Sequence, residues 1–216
     1  MKYWETGHTI PLPWGEVACG YWWRYPNPHS QHVFSVDTLE TRLEGDKLYA
    51  KRLIMKTNPL PSWGKHFFSV RRVAVIEEVE VDRSQKKLVW YTRNIGLTLF
   101  MATVERVTLS QGLASMASTS VRKQCWIDSS IVGFRSAIKK FGVDRYKKNC
   151  GPATQGMQMV IEEKLARDSM AGQGESKRES KSEQSDSQPS PDGKTSQGRI
   201  YQAVKMSLCE GTEEIT

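Results

Sequence analysis

Four cysteines in 216 residues, none of them spaced Cys-x-x-Cys, supply neither a structural zinc site nor the framework of a disulfide-stapled fold. Histidine is scarce too, and although His29 and His32 stand three apart, no acidic or cysteine ligand lies near them. No metal or cofactor is therefore expected. No apolar run approaches the ~20 residues of a spanning helix. The opening Met1-Lys2-Tyr3-Trp4-Glu5 is neither a signal peptide nor an Arg-rich, acid-poor transit peptide. The chain reads as soluble, without a cleavable address, and composition alone would make it cytosolic. Catalytic signatures are missing as well: there is no G-x-S-x-G, H-E-x-x-H, phosphate-binding P-loop or Rossmann glycine fingerprint. The adjacent carboxylates Glu77 and Glu78 fall in a strand pattern, where neighbours point to opposite faces, so they cannot form an acid/base dyad. These absences together point away from an enzyme.

What is present is basic, aromatic and unevenly charged. From Asp168 onward there are six basic and nine acidic residues, which leaves 25 basic and 15 acidic before it. A body of charge +10 with a −3 tail expects an anionic partner: nucleic acid, a membrane surface or an anionic ligand. Of seven tryptophans, Trp4, Trp14, Trp22 and Trp23 fall within the first twenty-five residues.

Residues 2–10 read as a strand. Pro11 and Pro13 open a helix whose apolar stripe is Trp14, Val17, Ala18, Tyr21 and Trp22, and which must stop at Arg24-Tyr25-Pro26. Strands follow at 32–44 and 47–57, with a tight turn at Gly45-Asp46, then at roughly 73–82, 86–95, 101–110 and 117–127. A long loop fills 58–72. After Asp128-Ser129-Ser130 the period becomes helical (Phe134, Ala137, Ile138, Phe141). Gly151-Pro152 is expected to break or kink that helix before Met157, Val160, Ile161 and Leu165 resume it. From 168 to 198 the chain is too polar to offset its ordering entropy and reads as disordered, with a possible short helix at 199–209. The expectation is an α+β fold, an antiparallel sheet with helices over one face and a cavity between the layers, occupying 1–167 ahead of a polar tail at 168–216.

In the strand at 47–57, alternation puts Leu48, Ala50, Arg52, Ile54 and Lys56 on one face. If that face is inward, two cations lie among aliphatic groups and need an anion, since an unpaired buried charge is very costly. A phosphate headgroup carrying acyl chains would satisfy both halves. If it is outward, both are ordinary solvated charges, and periodicity alone leaves the choice open. Arg24, at a proline-fixed corner, suits phosphate oxygens, but taken alone it reads first as a cation at the C-terminal end of a helix dipole. The segment Leu60-Pro61-Ser62-Trp63-Gly64-Lys65-His66-Phe67-Phe68 is unusually aromatic for a loop; its rings either cap a cavity and enter a bilayer interface or fold back as core.

Arg24-Tyr25-Pro26-Asn27-Pro28 with His32-Val33 resembles the signature block of the PRELI family of lipid-transfer proteins. Arg52-Leu53-Ile54, Lys56-Thr57-Asn58, Leu60-Pro61-x-Trp63, Tyr91-Thr92-Arg93-Asn94 and Val104-Glu105 extend the resemblance in order over about residues 1–167. It looks closest to the branch that moves phosphatidic acid. The resemblance implies a seven-stranded antiparallel sheet wrapped round a lipid cavity, closed by a short N-terminal and a long C-terminal helix. It implies a non-enzymatic phospholipid carrier of the mitochondrial intermembrane space that supports cardiolipin synthesis. Its partners would be phosphatidic acid, an anionic membrane surface and a small twin-cysteine-motif helical hairpin. Residue by residue, Arg24 and His32 match the headgroup floor, Arg52 and Lys56 the basic pair, and Arg145 and Asn149 polar positions on the long helix. Leu60, Pro61, Trp63, Lys65, Phe67 and Phe68 fall in the lid. Gly151-Pro152 departs from the family's continuous basic helix, and the Ser/Gln-rich tail has no counterpart. The alternatives are a phosphatidylserine carrier of the same family and, from another class, a basic nucleic-acid-binding or protein-interaction module.

Overall fold

The computed structural model describes residues 1–57, 72–113 and 115–176, the stretch 168–176 as backbone only. Of the loop expected at 58–72, Arg72 begins a strand, while 58–71 and the short helix expected at 199–209 lie outside the described residues. Seven strands form one curved antiparallel sheet: β1 (Lys2–Ile10), β2 (Val33–Glu44), β3 (Lys47–Thr57), β4 (Arg72–Asp82), β5 (Lys87–Asn94), β6 (Ala102–Gln111) and β7 (Thr119–Asp128). Their spatial order is β1-β7-β6-β5-β4-β3-β2, a meander from β2 to β7 with the first strand added beyond the last. This is the α+β architecture expected from the sequence, with strand ends within a residue or two of the predicted ones.

The turns explain why the meander is so regular. Gly45 takes φ +55 between β2 and β3, a conformation glycine adopts without steric cost. Between β4 and β5, Asp82 accepts from the Ser84 hydroxyl at 2.7 Å and the Gln85 amide at 2.9 Å, so its carboxylate organises the reversal. Along β4 as far as Val81 and along β7 the buried residues alternate, Val73, Val75, Glu77, Val79, Val81 and Thr119, Val121, Lys123, Cys125, Ile127. Each strand thus offers one face to the core.

That face is covered by two helices. In α1 (Trp14–Gly20), continued by a 3₁₀ turn over Tyr21–Trp23, the whole predicted stripe is buried. It meets Met157 and Ile161 of α2 (Arg135–Ser176) and the sheet residues Val79, Leu88, Leu109 and Val121 in one cluster. Gly20 sits where a Cβ would collide with the Ile161 side chain, so the helices approach closely at this point. Full burial of Ile161 alone is worth about 1.5–3 kcal/mol.

The expected break at Gly151-Pro152 does not occur: α2 runs unbroken through Pro152 and on to Ser176, past the anticipated start of the tail. Two causes offset the roughly 3 kcal/mol that an interior proline costs. Anchors on both sides, Ile138 and Val143 before it and Met157 and Ile161 after it, are buried. Beside the proline, the Cys150 carbonyl accepts from Lys123 Nζ at 3.1 Å and from Thr154 Oγ1 at 3.0 Å. The helix also begins later than Asp128-Ser129-Ser130, at Arg135, because Ser129 caps a separate turn by accepting from the Ile131 amide at 3.3 Å.

Candidate functional site

Between sheet and α2 lies a cavity of about 770 Å³. Its polar floor follows from strand register. Arg52 on β3 stands opposite Glu77 on β4, Glu77 opposite Thr92 on β5, Thr92 opposite Glu105 on β6, and Glu105 opposite Cys125 on β7. One inward row therefore runs across five strands and carries charge at Arg52, Glu77 and Glu105.

Glu77 is the hub. It is fully buried, accepts from the Tyr21 hydroxyl at 2.7 Å, pairs with Arg24, and lies 3.4 Å from Arg52. Arg24 is held from behind as well. Its guanidinium lies 4.0 Å from the Tyr21 ring centroid, and its carbonyl accepts from Asn27 Nδ2 at 2.5 Å. Asn27 in turn accepts from the His29 amide at 2.9 Å and fixes the 3₁₀ turn Pro28–Ser30. Gly156 of α2 has no Cβ to clash with Asn27, so the helix packs directly on this corner. Burial alone would lower the Arg24 pKa, yet the attraction of Glu77 outweighs it and raises the group above its ordinary range. Burial pushes the Tyr21 hydroxyl far up, which keeps it a proton donor to Glu77.

Around the rest of the cavity the charges are less well matched. Lys56 has its pKa lowered by burial, with Glu105 pulling it back up and Arg145 pushing it further down. Lys123 is lowered by burial and donates only to neutral oxygens, the Cys150 carbonyl and Thr154 Oγ1 at 2.7 Å. Arg145 is lowered by burial, and His32 by burial and then by Lys56 and Arg145. Among the described residues no carboxylate lies within ion-pair distance of Lys56 or Lys123. Glu105 accepts from the Tyr146 hydroxyl at 2.5 Å and from Thr92 at 3.4 Å. Val33, Ile54, Val75, Val107, Phe141 and Met157 supply apolar wall.

Of the residues expected from the sequence, Arg24, His32, Lys56, Arg145 and Asn149 line this one cavity. Arg52 is not among its lining residues; 1% exposed, it stands behind Glu77. The β3 face is inward as the first of the two alternatives required, but the anion next to Arg24 and Arg52 is a carboxylate of the chain itself. The six lid residues Leu60, Pro61, Trp63, Lys65, Phe67 and Phe68 are outside the described residues. Glu77, Glu105 and Lys123 were not anticipated. Their signal was in the sequence: each is one charge set in a period-2 apolar run, the same pattern that drew attention to Arg52 and Lys56.

Sheet, helix and charged floor define a class: an α+β ligand-binding protein whose cavity is enclosed between an antiparallel sheet and one long helix. A family model described as PRELI-like family matches residues 15–168. The chain belongs to that family. It is 33% identical over 164 residues to PRELI domain-containing protein 1, mitochondrial, of Gallus gallus, covering 74% of this chain and 76% of that one. It is 29% identical over 161 residues to protein UPS1, mitochondrial, of Saccharomyces cerevisiae, covering 73% and 91%. Among solved structures, the Zhui aromatase/cyclase of Streptomyces sp. R1128 shares the fold alone, with TM-score 0.51 and 10% identity over 76% of this chain and 95% of that chain.

Proposed function

We propose that the protein is a non-enzymatic carrier that moves phosphatidic acid between membranes of the mitochondrial intermembrane space and so supports cardiolipin synthesis. The observation that carries this reading is the set Lys56, Lys123, Arg145 and His32. All four face one cavity, and burial disfavours the charged form of each. An entering phosphate reverses that penalty. The lining holds Arg24, Lys56, Lys123, Arg145 and Lys148 against Glu77, Glu105 and Asp144. With Arg52 behind Glu77 the formal surplus is three positive charges. A phosphomonoester, with about −1.5 to −2 at neutral pH, meets about half to two-thirds of that surplus. A choline headgroup brings a further positive charge and does not. The apolar wall accepts acyl chain at about 0.8 kcal/mol per buried methylene.

The mitochondrial setting is supported by the names of both relatives. The twin-cysteine-motif hairpin partner, the membrane-facing lid at 58–72 and the division into a 1–167 lipid-binding unit and a tail rest on the family resemblance and the sequence pattern. A second reading, phosphatidylserine, is favoured by one feature: Glu105 is a cavity carboxylate that a headgroup ammonium could meet. A nucleic-acid role is disfavoured because the distinctive cations are inside the cavity, beyond reach of a polyanion backbone. The test is transfer between liposomes with phosphatidic acid, phosphatidylserine and phosphatidylcholine in competition, alongside mass spectrometry of organic extract from the purified protein. Phosphatidic acid is expected to be transferred and retained, and Arg24→Ala to lose both. Equal handling of phosphatidylcholine would overturn the headgroup argument.

A further inference from the structure

Two loops outside the cavity carry large apolar side chains into solvent. Ile95 and Leu99 on the β5–β6 loop are 53% and 73% exposed; Val132 and Phe134 on the β7–α2 loop are 87% and 51% exposed. The loops are neighbours, joined by a hydrogen bond from the Ser130 amide to the Leu99 carbonyl at 3.0 Å. They form one patch at one end of the sheet, and such patches mark contact sites.

The β5–β6 loop is built to hold this shape. Asn94 staples it, donating to the Gly96 and Met101 carbonyls at 2.7 and 2.9 Å and accepting from the Thr103 amide at 2.8 Å. Leu97 adopts φ +59, a left-handed conformation unfavourable for leucine. That turn sends Leu97 inward against the Ile54, Val73 and Val75 cluster while Ile95 and Leu99 face out. Ile54 and Val75 are cavity wall. The same short loop thus touches the wall of the cavity on one side and solvent on the other.

Position and charge select the occupant. The patch lies at the end of the sheet where β3 finishes with Lys56 and Thr57 and β2 begins with Val33, all three of which line the cavity. Both loops are free of acidic residues, and the first turns of α2 add exposed Arg135 and Lys140. Asp128, which immediately precedes the β7–α2 loop, is 3.9 Å from Lys139. Apolar tips ringed by cations fit an anionic bilayer, whose interface accepts apolar side chains and whose headgroups attract basic ones.

We infer that the loops at 95–101 and 129–134 form a docking face for an anionic lipid bilayer, distinct from the 58–71 segment and holding the cavity end of the molecule against the membrane. The inference rests on the carrier reading for its purpose, but its test separates the two. Binding of the full chain to vesicles of phosphatidylcholine containing phosphatidylglycerol is measured by flotation, for wild type, Leu99→Ser with Val132→Ser, and Arg135→Glu with Lys140→Glu. Capture of short-chain phosphatidic acid from solution, without any bilayer, is measured on the same proteins. Both side chains in the first pair are exposed, so melting temperature is expected to be unchanged. That pair should lower vesicle binding about tenfold, the loss of partial burial of two aliphatic groups. The charge pair should lower it on phosphatidylglycerol vesicles and lose its effect at high salt. Capture of short-chain lipid should be retained in all. Vesicle binding at wild-type level in the Leu99/Val132 variant overturns the docking face. So does a change confined to self-association in sedimentation, which would make the patch a protein interface. Failure of wild type itself to capture short-chain phosphatidic acid would count against the carrier reading while leaving the vesicle result to decide the docking face.

Discussion

Glu77→Gln tests the buried cluster with the least change of shape. Glu77 is fully buried between Arg24 and Arg52 and receives the Tyr21 hydroxyl. Glutamine keeps the volume and one acceptor oxygen but removes the only carboxylate within ion-pair distance of either arginine among the described residues. Leaving a buried charge without its partner costs about 3–5 kcal/mol. For a chain of this size each kcal/mol moves the melting temperature by about 2–4 °C, so a fall of about 6–20 °C is expected in the ligand-free protein. Glu78→Gln is the internal control. Its side chain is half exposed and pairs only at 3.9 and 3.7 Å with Lys51 and Arg93, so it should change stability by less than about 0.5 kcal/mol. Adding short-chain phosphatidic acid supplies a second discriminator. Arg24 lines the cavity, and with Glu77 gone its guanidinium is open to a phosphate. The ligand should therefore raise the melting temperature of the variant more than that of wild type. A Glu77→Gln protein that melts within about 2 °C of wild type, with no larger response to ligand, would refute the reasoning that Glu77 is the counter-anion of this floor.

Three further outcomes follow from particular contacts. Because burial, then Lys56 and Arg145, lower the His32 pKa, the folded chain keeps His32 neutral while the unfolded chain takes a proton near the ordinary 6.5. Stability is then full above about pH 6.5 and falls as the pH drops through it; His8, lowered by burial and Lys123, acts in the same direction. His32→Gln should shrink the fall in melting temperature between pH 7 and pH 5.5 (approximate limits), and an unchanged slope would assign it elsewhere. Gly156→Ala places a Cβ against the Asn27 side chain, which should cost about 1–3 kcal/mol in denaturant unfolding and weaken lipid capture by shifting the corner that holds Arg24. Pro152→Ala restores a donor for the Lys148 carbonyl and should stabilise the protein by up to about 3 kcal/mol, read as a higher denaturation midpoint.

The meander was legible because strands such as β4 and β7 show a period-2 apolar face and two reversals have turns that can be named, Gly45 between β2 and β3 and Asp82 between β4 and β5. The α1 stripe was legible for the same reason at helical period. Alternation could not say which face of β3 turned inward, because Arg52 and Lys56 are residues that usually face solvent. The answer lay one strand away, at Glu77, and cross-strand pairing joins residues far apart in the chain. Reading Glu77 beside Glu78, as a possible dyad, gave the correct exclusion but hid the role of each. Pro152 misled for a different reason. Local propensity is a few kcal/mol, and the buried anchors on either side of it, with Lys123 reaching across from β7, exceed that.

The row Arg52, Glu77, Thr92, Glu105, Cys125 also acts as an alignment key for the sheet. Each member is matched to the next across a strand boundary, from β3 to β7. A slip of one residue in β4 alone would present Glu78 to the interior beside Tyr21 and Arg24 and turn Glu77, with its flanking valines, to water. Glu80 would then take the core place of Val79, burying a second carboxylate, and an apolar face would be exposed at once. Mispaired sheets of this chain are thereby penalised twice, by charge and by hydration, so the residues that give the cavity its charge also make its strands assemble in a single register.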